Sequence, residues 1–228
     1  MPRALAIETS SRVGSLALVA DGRIVGEETF PHGLKHAAEM VPRIDSLLQA
    51  QGWTPPQLEE IHVSIGPGSF TGLRIGITFA KTLAWATGAK LVAVPSMSVL
   101  AENAPTTMSH LLIVLDARRG QVFTARFERV QNRWEPREPA RLGPLADALA
   151  RSPHPLMLLG EGLSVHRPPD GPDILIAGDT LWVPTARNVA RLGSLMAAAG
   201  QFTSPQNLLP LYLRQSEAEE KWESREKP

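Results

Sequence analysis

The residues best suited to chemistry form a glycine-rich segment, SIGPGSFTGLRIG, at positions 64–76. It stands between a predicted strand and a predicted helix, where backbone amides and the helix dipole can hold an anion. A P-loop requires a second glycine five positions after the first and then a lysine, but Thr71 stands there and the next lysine is Lys81. The dinucleotide fingerprint requires a glycine at the same place and an acidic residue about 20 positions on, where the chain reads AVP at 93–95. The remaining local interpretation is a tight turn whose glycines let strand and helix pack closely.

Two histidines, His32 and His36, are four positions apart, as zinc ligands on one face of a helix are. Gly33 argues against a helix at that point, and no glutamate follows His32 as one does in metalloproteases. A solvent-facing helix start is the simpler interpretation, so we expect no zinc at this pair.

Hydroxyl and carboxyl groups elsewhere lack the partners that catalysis needs. Ser69 and Thr71 have no evident histidine and carboxylate nearby, which argues against a nucleophile. Asp116 precedes Arg118 and Arg119, and such a cluster is more typical of a local turn than of a general acid or base. The local patterns therefore predict no active site.

The composition restricts the classes of protein and partner. The 228 residues include 23 Lys plus Arg and 23 Asp plus Glu, so the formal net charge is zero and no global field favours nucleic acid or membranes. The absence of cysteine excludes disulfides and thiolate chemistry and suits a reducing compartment. The N-terminus lacks the apolar block of a signal peptide, and no segment reaches the ~20 apolar residues of a membrane helix. We expect a soluble, cytoplasmic protein without a membrane partner.

The elements that position these residues alternate between strands and helices, which predicts an α/β fold. Periodicity and turn signals predict strands over 4–8, 15–19, 23–30, 61–65, 90–95, 111–116, 122–129 and 156–159. They predict helices over 36–50, 72–87, 96–103 and 186–199. A polar stretch near 105 suggests a boundary. We therefore expect an N-terminal lobe over 1–104, a C-terminal lobe over 105–214 with proline-rich connections, and a charged, disordered tail over 215–228.

As a whole string, GPGSFTGLRIG at 66–76 resembles the TsaB family, also called YeaZ, the small paralogue of the catalytic subunit TsaD in the bacterial tRNA threonylcarbamoyladenosine machinery. The resemblance extends to LAIETS at 5–10, DARRG at 116–120, GEG at 160–162 and PLYLR at 210–214. It covers nearly the whole chain except the charged tail. One departure is a glutamate at position 8, where the family usually has aspartate.

The resemblance implies the actin-like, Hsp70-like (ASKHA) fold of two similar lobes, each a mixed sheet with flanking helices. It implies a non-catalytic subunit that supports transfer of a threonylcarbamoyl group to the adenosine beside the anticodon of certain tRNAs. The implied partners are a TsaD-type catalytic paralogue, a TsaE-type ATPase that docks once the pair exists, and tRNA through the complex only. Without the paralogue, the same surface is expected to form a homodimer.

The resemblance also directs attention to the end of the first strand. In that superfamily a nucleotide sits between the lobes, and Glu8, Thr9 and Ser10 occupy the corresponding place as candidates for weak nucleotide binding. A capped hairpin turn with a solvated carboxylate also explains these three residues. The catalytic paralogue binds a metal through two histidines, whose positions here hold Ser96 and Leu100. The resemblance therefore implies no metal, no tightly bound cofactor and no catalytic residue.

The subunit contact is expected on the two long helices of the first lobe, in line with the family. The helix over 72–87 is apolar nearly all round, which predicts that both of its faces are covered. Its residues Ile75, Phe79 and Leu83 are expected to face the sheet. The residues expected in the seam are Met40, Ile44, Leu47 and Leu48 on the first helix and Leu73, Gly76, Ile77, Ala80, Ala84 and Trp85 on the second.

Two other classes of function remain open. An active enzyme of the same superfamily, kinase-like or metallopeptidase-like, would require a competent nucleotide or metal site. A self-contained RNA-binding module would require a dense basic face with aromatic platforms, whereas only 5% of the residues are aromatic.

Overall fold

The structure is a computed structural model that describes residues 2–31, 36–105, 107–169 and 171–214. Within these ranges the chain forms two sheets with flanking helices. The α-helices are α1 (His36–Ala50), α2 (Phe70–Thr87), α3 (Ser96–Ala101), α4 (Leu145–Ala150) and α5 (Ala186–Ala198). None of these helices is long and apolar enough to cross a membrane.

The first sheet has five strands in the order β3-β2-β1-β4-β5. They are β1 (Ala4–Glu8), β2 (Val13–Ala20), β3 (Arg23–Pro31), β4 (Glu60–Ser64) and β5 (Lys90–Val94). The first three form an antiparallel meander, whereas β4 and β5 run parallel to β1. Asp21 and Gly22 join β2 to β3 with φ angles of 51° and 73°, the left-handed backbone that a two-residue hairpin turn requires.

The second sheet has strands β6 (His110–Asp116), β7 (Val122–Val130), β8 (Arg133–Pro136), β9 (Arg141–Gly143), β10 (Leu156–Leu159) and β11 (Ile174–Ile176). Its main strand order is β8-β7-β6-β10-β11, and the short strand β9 pairs separately with β7. Here β6, β7 and β8 form the antiparallel meander, and β10 and β11 run parallel to β6. Sequence patterns predict β6, β7 and β10 but not β8, β9, β11 and α4, which lie in segments that were expected to be connections.

Both sheets therefore repeat one topology. Numbered within its own lobe, with β9 left out, each follows the order 3-2-1-4-5, with the first three strands antiparallel and the last two parallel to the first. Two copies of this arrangement with flanking helices are the two-lobe actin-like fold. The expected fold class is confirmed.

The first sheet is covered by helices on both faces. Leu5 and Ile7 point to a core that includes side chains of α1 and α2. Ala4 and Ala6, on the opposite face, pack in a second core with Val189 and other residues of α5. Since α5 packs on the first sheet, the lobe boundary at 104/105 describes the two sheets but not the last helix, which returns to the first lobe.

The segment after α5 also lies against the first lobe. Thr203 bridges to Leu91 of β5, and Leu208 is fully buried in the core under α1 and α2. The amide of Leu211 donates to the carbonyl of Ile65 at 2.7 Å. These contacts assign 203–211 to the first lobe, which corrects the expected extent of the C-terminal lobe at this end of the chain. The expected tail over 215–228 lies outside the described residues.

Candidate functional site

The end of β1 is buried, so the interpretation of Glu8 as a solvated carboxylate is wrong. Glu8 and Thr9 have no exposed surface, and Ser10 is 6% exposed. The Oε1 atom of Glu8 accepts a hydrogen bond from the backbone amide of Ser10 at 2.5 Å. Burial raises the pKa of Glu8 above its ordinary value, against the lowering effect of hydrogen bonding to Ser10. The site at the strand end is thus a closed polar pocket rather than an open acidic one.

The glycine-rich loop packs onto this strand end. A Cβ atom added to Gly68 would lie 2.3 Å from the Ser10 carbonyl oxygen, and one added to Gly72 would lie 2.0 Å from that of Thr9. At Gly76 it would lie 2.3 Å from the Thr9 hydroxyl oxygen. No side chain fits at such distances, so glycine at every fourth position of the helix start allows direct contact with the strand.

The loop's amides are engaged by the protein itself. The amide of Ser69 donates to the Ser10 carbonyl at 2.7 Å, and that of Gly72 donates to the Ser69 hydroxyl, which caps α2. The amide of Gly66 donates to the hydroxyl of Ser96 at 2.8 Å. These bonds favour the structural interpretation of the loop, since these amides are not directed at an external anion.

Several buried polar atoms at the same strand end have no hydrogen-bond partner in the described part of the chain. They are Oε2 of Glu8, Oγ1 of Thr9 and Oγ of Ser64. Ser64 ends β4, and the register of Ile7 opposite Val63 places it beside Glu8. The three oxygens suit a proton on Glu8 and small hydrogen-bonding guests such as water. Among the described residues, no three His, Asp or Glu side chains are grouped to hold a metal ion.

The second lobe places a different polar group at the equivalent strand end. Asp116 ends β6 as Glu8 ends β1, and its Oδ1 atom lies 2.9 Å from Nε2 of His166. The same oxygen accepts from the Arg118 amide at 3.0 Å, so the predicted local turn is observed. Glu161 accepts from the Asp116 amide at 3.0 Å, and burial raises the pKa of Glu161. This group is partly exposed, unlike its counterpart in the first lobe.

Ser96 and Leu100, which stand where the catalytic paralogue has its two metal-binding histidines, lie in the protein interior. Ser96 is 2% exposed, and its hydroxyl is the acceptor for the glycine-rich loop. Leu100 is 1% exposed and packs in the core between α3 and the second sheet. His32 lies outside the described residues, as does the side chain of His36, so their suggested zinc pair is not described by the structure.

The side chains assigned to the pairing seam are, with one exception, internal. Each of Met40, Ile44, Leu47, Leu48, Leu73, Gly76, Ile77, Ala80 and Ala84 is buried inside the first lobe. The residues expected to face the sheet, Ile75, Phe79 and Leu83, are only partly buried, at the border of that core. The two faces of α2 were therefore assigned the wrong way round. Periodicity did not distinguish them, because both faces are apolar. Gly72 and Gly76 of α2 lie against Thr9 at the end of β1.

The outer side of α1 and α2 still carries exposed apolar groups. Trp85, which was expected in the seam, is 86% exposed, and Val41 of α1 is 52% exposed. A groove runs between the two helices, lined by Met40, Val41, Arg74, Ile75, Thr78, Phe79 and Thr82. We call Val41, Trp85 and this groove the α1–α2 face.

Known proteins are similar to this chain over almost all of its length. The protein named tRNA threonylcarbamoyladenosine biosynthesis protein TsaB from Bacillus subtilis is 34% identical over 225 residues, covering 96% of each chain. The chain belongs to the TsaB family. The protein of the same name from Escherichia coli is 28% identical over 234 residues, covering 98% of this chain and all of the relative. The family model described as "TsaD: tRNA N6-adenosine threonylcarbamoyltransferase" matches residues 32–157.

A solved structure supports the TsaB-family assignment independently of local motifs. The crystal structure titled YeaZ from Pseudomonas aeruginosa superposes with a TM-score of 0.80 at 26% identity, covering 93% of this chain and all of that one. Both lobes therefore share the arrangement found in a TsaB-family relative.

Some polar residues of this TsaB-family chain were not identified from the sequence. His166 follows the GEG turn and pairs with Asp116, 50 residues away. In the sequence His166 is distinguished only by following Gly160 and Gly162, and this position does not indicate a partner 50 residues away. Tyr212 lies in the PLYLR motif, but its hydrogen bond to Arg74, at 2.9 Å, joins residues 138 positions apart.

Proposed function

We propose that this protein is a non-catalytic subunit of the tRNA threonylcarbamoyladenosine machinery that pairs with a TsaD-type catalytic paralogue through the α1–α2 face. The observation that carries the proposal is the exposed apolar surface there. Val41, which is 52% exposed, lines a groove between the two helices, and Trp85, which is 86% exposed, follows the groove residue Thr82 by three positions on α2. Exposed apolar patches with a polar surround are typical of protein-binding sites.

Family membership supports a role in tRNA threonylcarbamoyladenosine biosynthesis, and the buried end of β1 supports the proposal that this subunit is not catalytic. Relatives that match nearly the whole chain carry the name tRNA threonylcarbamoyladenosine biosynthesis protein TsaB. At the place where the family resemblance puts a nucleotide, Glu8 and Thr9 are fully buried, and the loop glycines pack on Thr9 and Ser10. We propose no resident cofactor, no metal and no catalytic residue, and at most weak nucleotide binding between the lobes.

The remaining partners follow from the same proposal. A TsaE-type ATPase docks after the catalytic pair has formed, and tRNA is bound through the assembled complex in the cytoplasm. When the paralogue is absent, the α1–α2 face forms a symmetric homodimer, because an isologous interface uses the same patch on both copies.

The test is co-purification with the catalytic paralogue. Trp85→Glu and Val41→Glu place a charge on the α1–α2 face without touching the core, so each is expected to weaken pairing at least tenfold with folding unchanged. Val165→Glu is the matched control, since Val165 is 67% exposed in the second lobe. Pairing of wild-type affinity in both face variants, or no pairing by the wild type, would contradict the proposal.

A further inference from the structure

One charged side chain at the end of the groove between α1 and α2 is oriented by two aromatic rings. The guanidinium carbon of Arg74 lies 3.8 Å from the centroid of the Phe70 ring and 5.8 Å from that of Tyr212. The two rings stack at 4.9 Å, and Nε of Arg74 donates to the Tyr212 hydroxyl at 2.9 Å. The ring contacts and the Nε bond fix the orientation of the guanidinium, whose Nη atoms make no hydrogen bond in the described part of the chain.

Within the described part of the chain, no acidic side chain balances the charge of Arg74. No carboxylate of the described residues lies within ion-pair distance of it. Helix α2 carries Arg74 and Lys81 but no acidic residue. Arg74 is also the only charged side chain among the seven residues that line the groove, and it is the first of the α2 positions that line it. An apolar groove thus ends in a pre-oriented cation.

We infer that Arg74 is the electrostatic anchor of the α1–α2 face and receives a carboxylate of the protein partner. The fitting partner is an amphipathic helix that lays apolar side chains along the groove and presents Asp or Glu at its end. A pre-oriented guanidinium forms paired hydrogen bonds to a carboxylate with little further loss of side-chain freedom. This inference rests on the proposed function, since it assumes that the groove is the pairing site.

Tyr212 then acts as a positioning residue for pairing. It belongs to the C-terminal segment that lies on the first lobe, and its ring and hydroxyl hold Arg74 from one side. A competing occupant of the groove is the chain's own residues 215–228, which begin directly after Arg214 and contain five glutamates and one tryptophan.

The experiment measures affinity for the catalytic paralogue at low and high salt. Arg74→Gln is expected to weaken pairing about tenfold or more and to reduce its salt dependence, because one charge pair is lost. Arg74→Lys should restore part of the affinity, since it keeps the charge without the paired geometry. Tyr212→Phe should weaken pairing less than Arg74→Gln. Lys81→Gln is the matched control, on the same helix but not in the groove, and should change affinity less than twofold.

The outcomes separate this inference from the proposed function. If Trp85→Glu abolishes pairing while Arg74→Gln leaves affinity within twofold of wild type, the pairing site stands and the anchor is overturned. If neither variant weakens pairing, or the wild type does not pair, both ideas fall. A chain ending at Arg214 tests the competing occupant. If its pairing is tighter than that of the full chain, and Arg74→Gln removes the difference, then the tail and not the partner supplies the carboxylate.

Discussion

Glu8 is a buried carboxyl, and no charged neighbour contributes to the shift of its pKa. Burial is the largest cause and raises its pKa above 4.5, the value expected of an exposed glutamate. The folded protein therefore holds this proton more tightly than the unfolded chain does. Above pH 4.5 the unfolded chain releases the proton first, so the stability contributed by protonated Glu8 is full below that pH and is lost as pH rises through the folded pKa.

Replacing Glu8 with glutamine tests this assignment. The amide has the shape of the protonated acid but does not titrate, so the free energy of unfolding of Glu8→Gln should fall less between pH 5 and pH 8, both chosen above the exposed value of about 4.5. Urea unfolding at the two pH values measures the difference. Glu27→Gln, the same change at an exposed position, serves as the control. A pH dependence identical to that of wild type would show that Glu8 is ionised throughout.

Gly72 is a second single-residue test, because it allows α2 to contact the end of β1. In Gly72→Ala the new methyl group would lie 2.0 Å from the Thr9 carbonyl oxygen. Overpacking of this kind costs about 1–3 kcal/mol, which exceeds the gain of up to about 1 kcal/mol from alanine in a helix. We expect a lower midpoint of thermal unfolding. Gly143→Ala, with no atom within 4 Å of its Cβ position, should change it little, and equal effects would contradict the packing role.

At the scale of elements, α2 has an internal face and an outer face, and the neighbouring residues Ile77 and Thr78 lie on opposite faces. Ile77 is 3% exposed in the core, whereas Thr78 lies in the groove. Ile77→Glu would bury an unpaired charge and is expected to cost more than about 4 kcal/mol, enough to unfold the first lobe. Thr78→Glu should stay folded and weaken pairing. Circular dichroism and size-exclusion chromatography distinguish the outcomes, and a folded Ile77→Glu variant would contradict this orientation of α2.

The last helix shows how closely the elements of the first lobe pack. A Cβ atom at Gly193 of α5 would lie 2.4 Å from the ring of His62, which is fully buried beside Glu60 on β4. At the other side of the sheet, the glycines of α2 allow the equivalent close contact with β1. The first lobe therefore depends on close helix–sheet contact at both faces.

At the scale of the whole molecule, two sheets of one topology carry different strand ends. The first lobe closes its strand end with a buried carboxyl and the second leaves Asp116, Glu161 and His166 partly open. Neither end gathers the side chains of a metal site within the described residues.

We predict that the purified protein binds no stoichiometric zinc or iron and hydrolyses ATP at no useful rate. The reasons are the closed end of β1 and the presence of Ser96 and Leu100 in the interior. Elemental analysis and a phosphate-release assay measure the two properties, with the catalytic paralogue as the positive control. One tightly held metal per chain, lost when His32 and His36 are replaced, would contradict both this prediction and the non-catalytic role.

Local sequence signals determined most elements of this protein. Apolar periodicity predicted α1, α5 and the central strands close to their observed bounds, because those patterns act over a few residues. The Asp21-Gly22 turn was likewise evident. The strand β8 was missed because its turn is formed by Gln131 and Asn132, which adopt positive φ angles of 46° and 71° without a glycine. β11 is a three-residue edge strand in a proline-rich stretch, too short to give a pattern.

Only the tertiary structure decided which groups face inwards. The sequence placed Glu8 at a strand end, but it showed neither that Glu8 is buried nor that the loop at 66–76, far along the chain, packs on the neighbouring Thr9 and Ser10. Because α2 is apolar on both faces in sequence, only its packing against the end of β1 shows which face is the inner one. For α5 the sequence indicated no preference between lobes, since an amphipathic helix specifies that one face is covered but not by which sheet. Family and fold followed from patterns within the chain, whereas burial, pairing surface and lobe membership are properties of distant contacts.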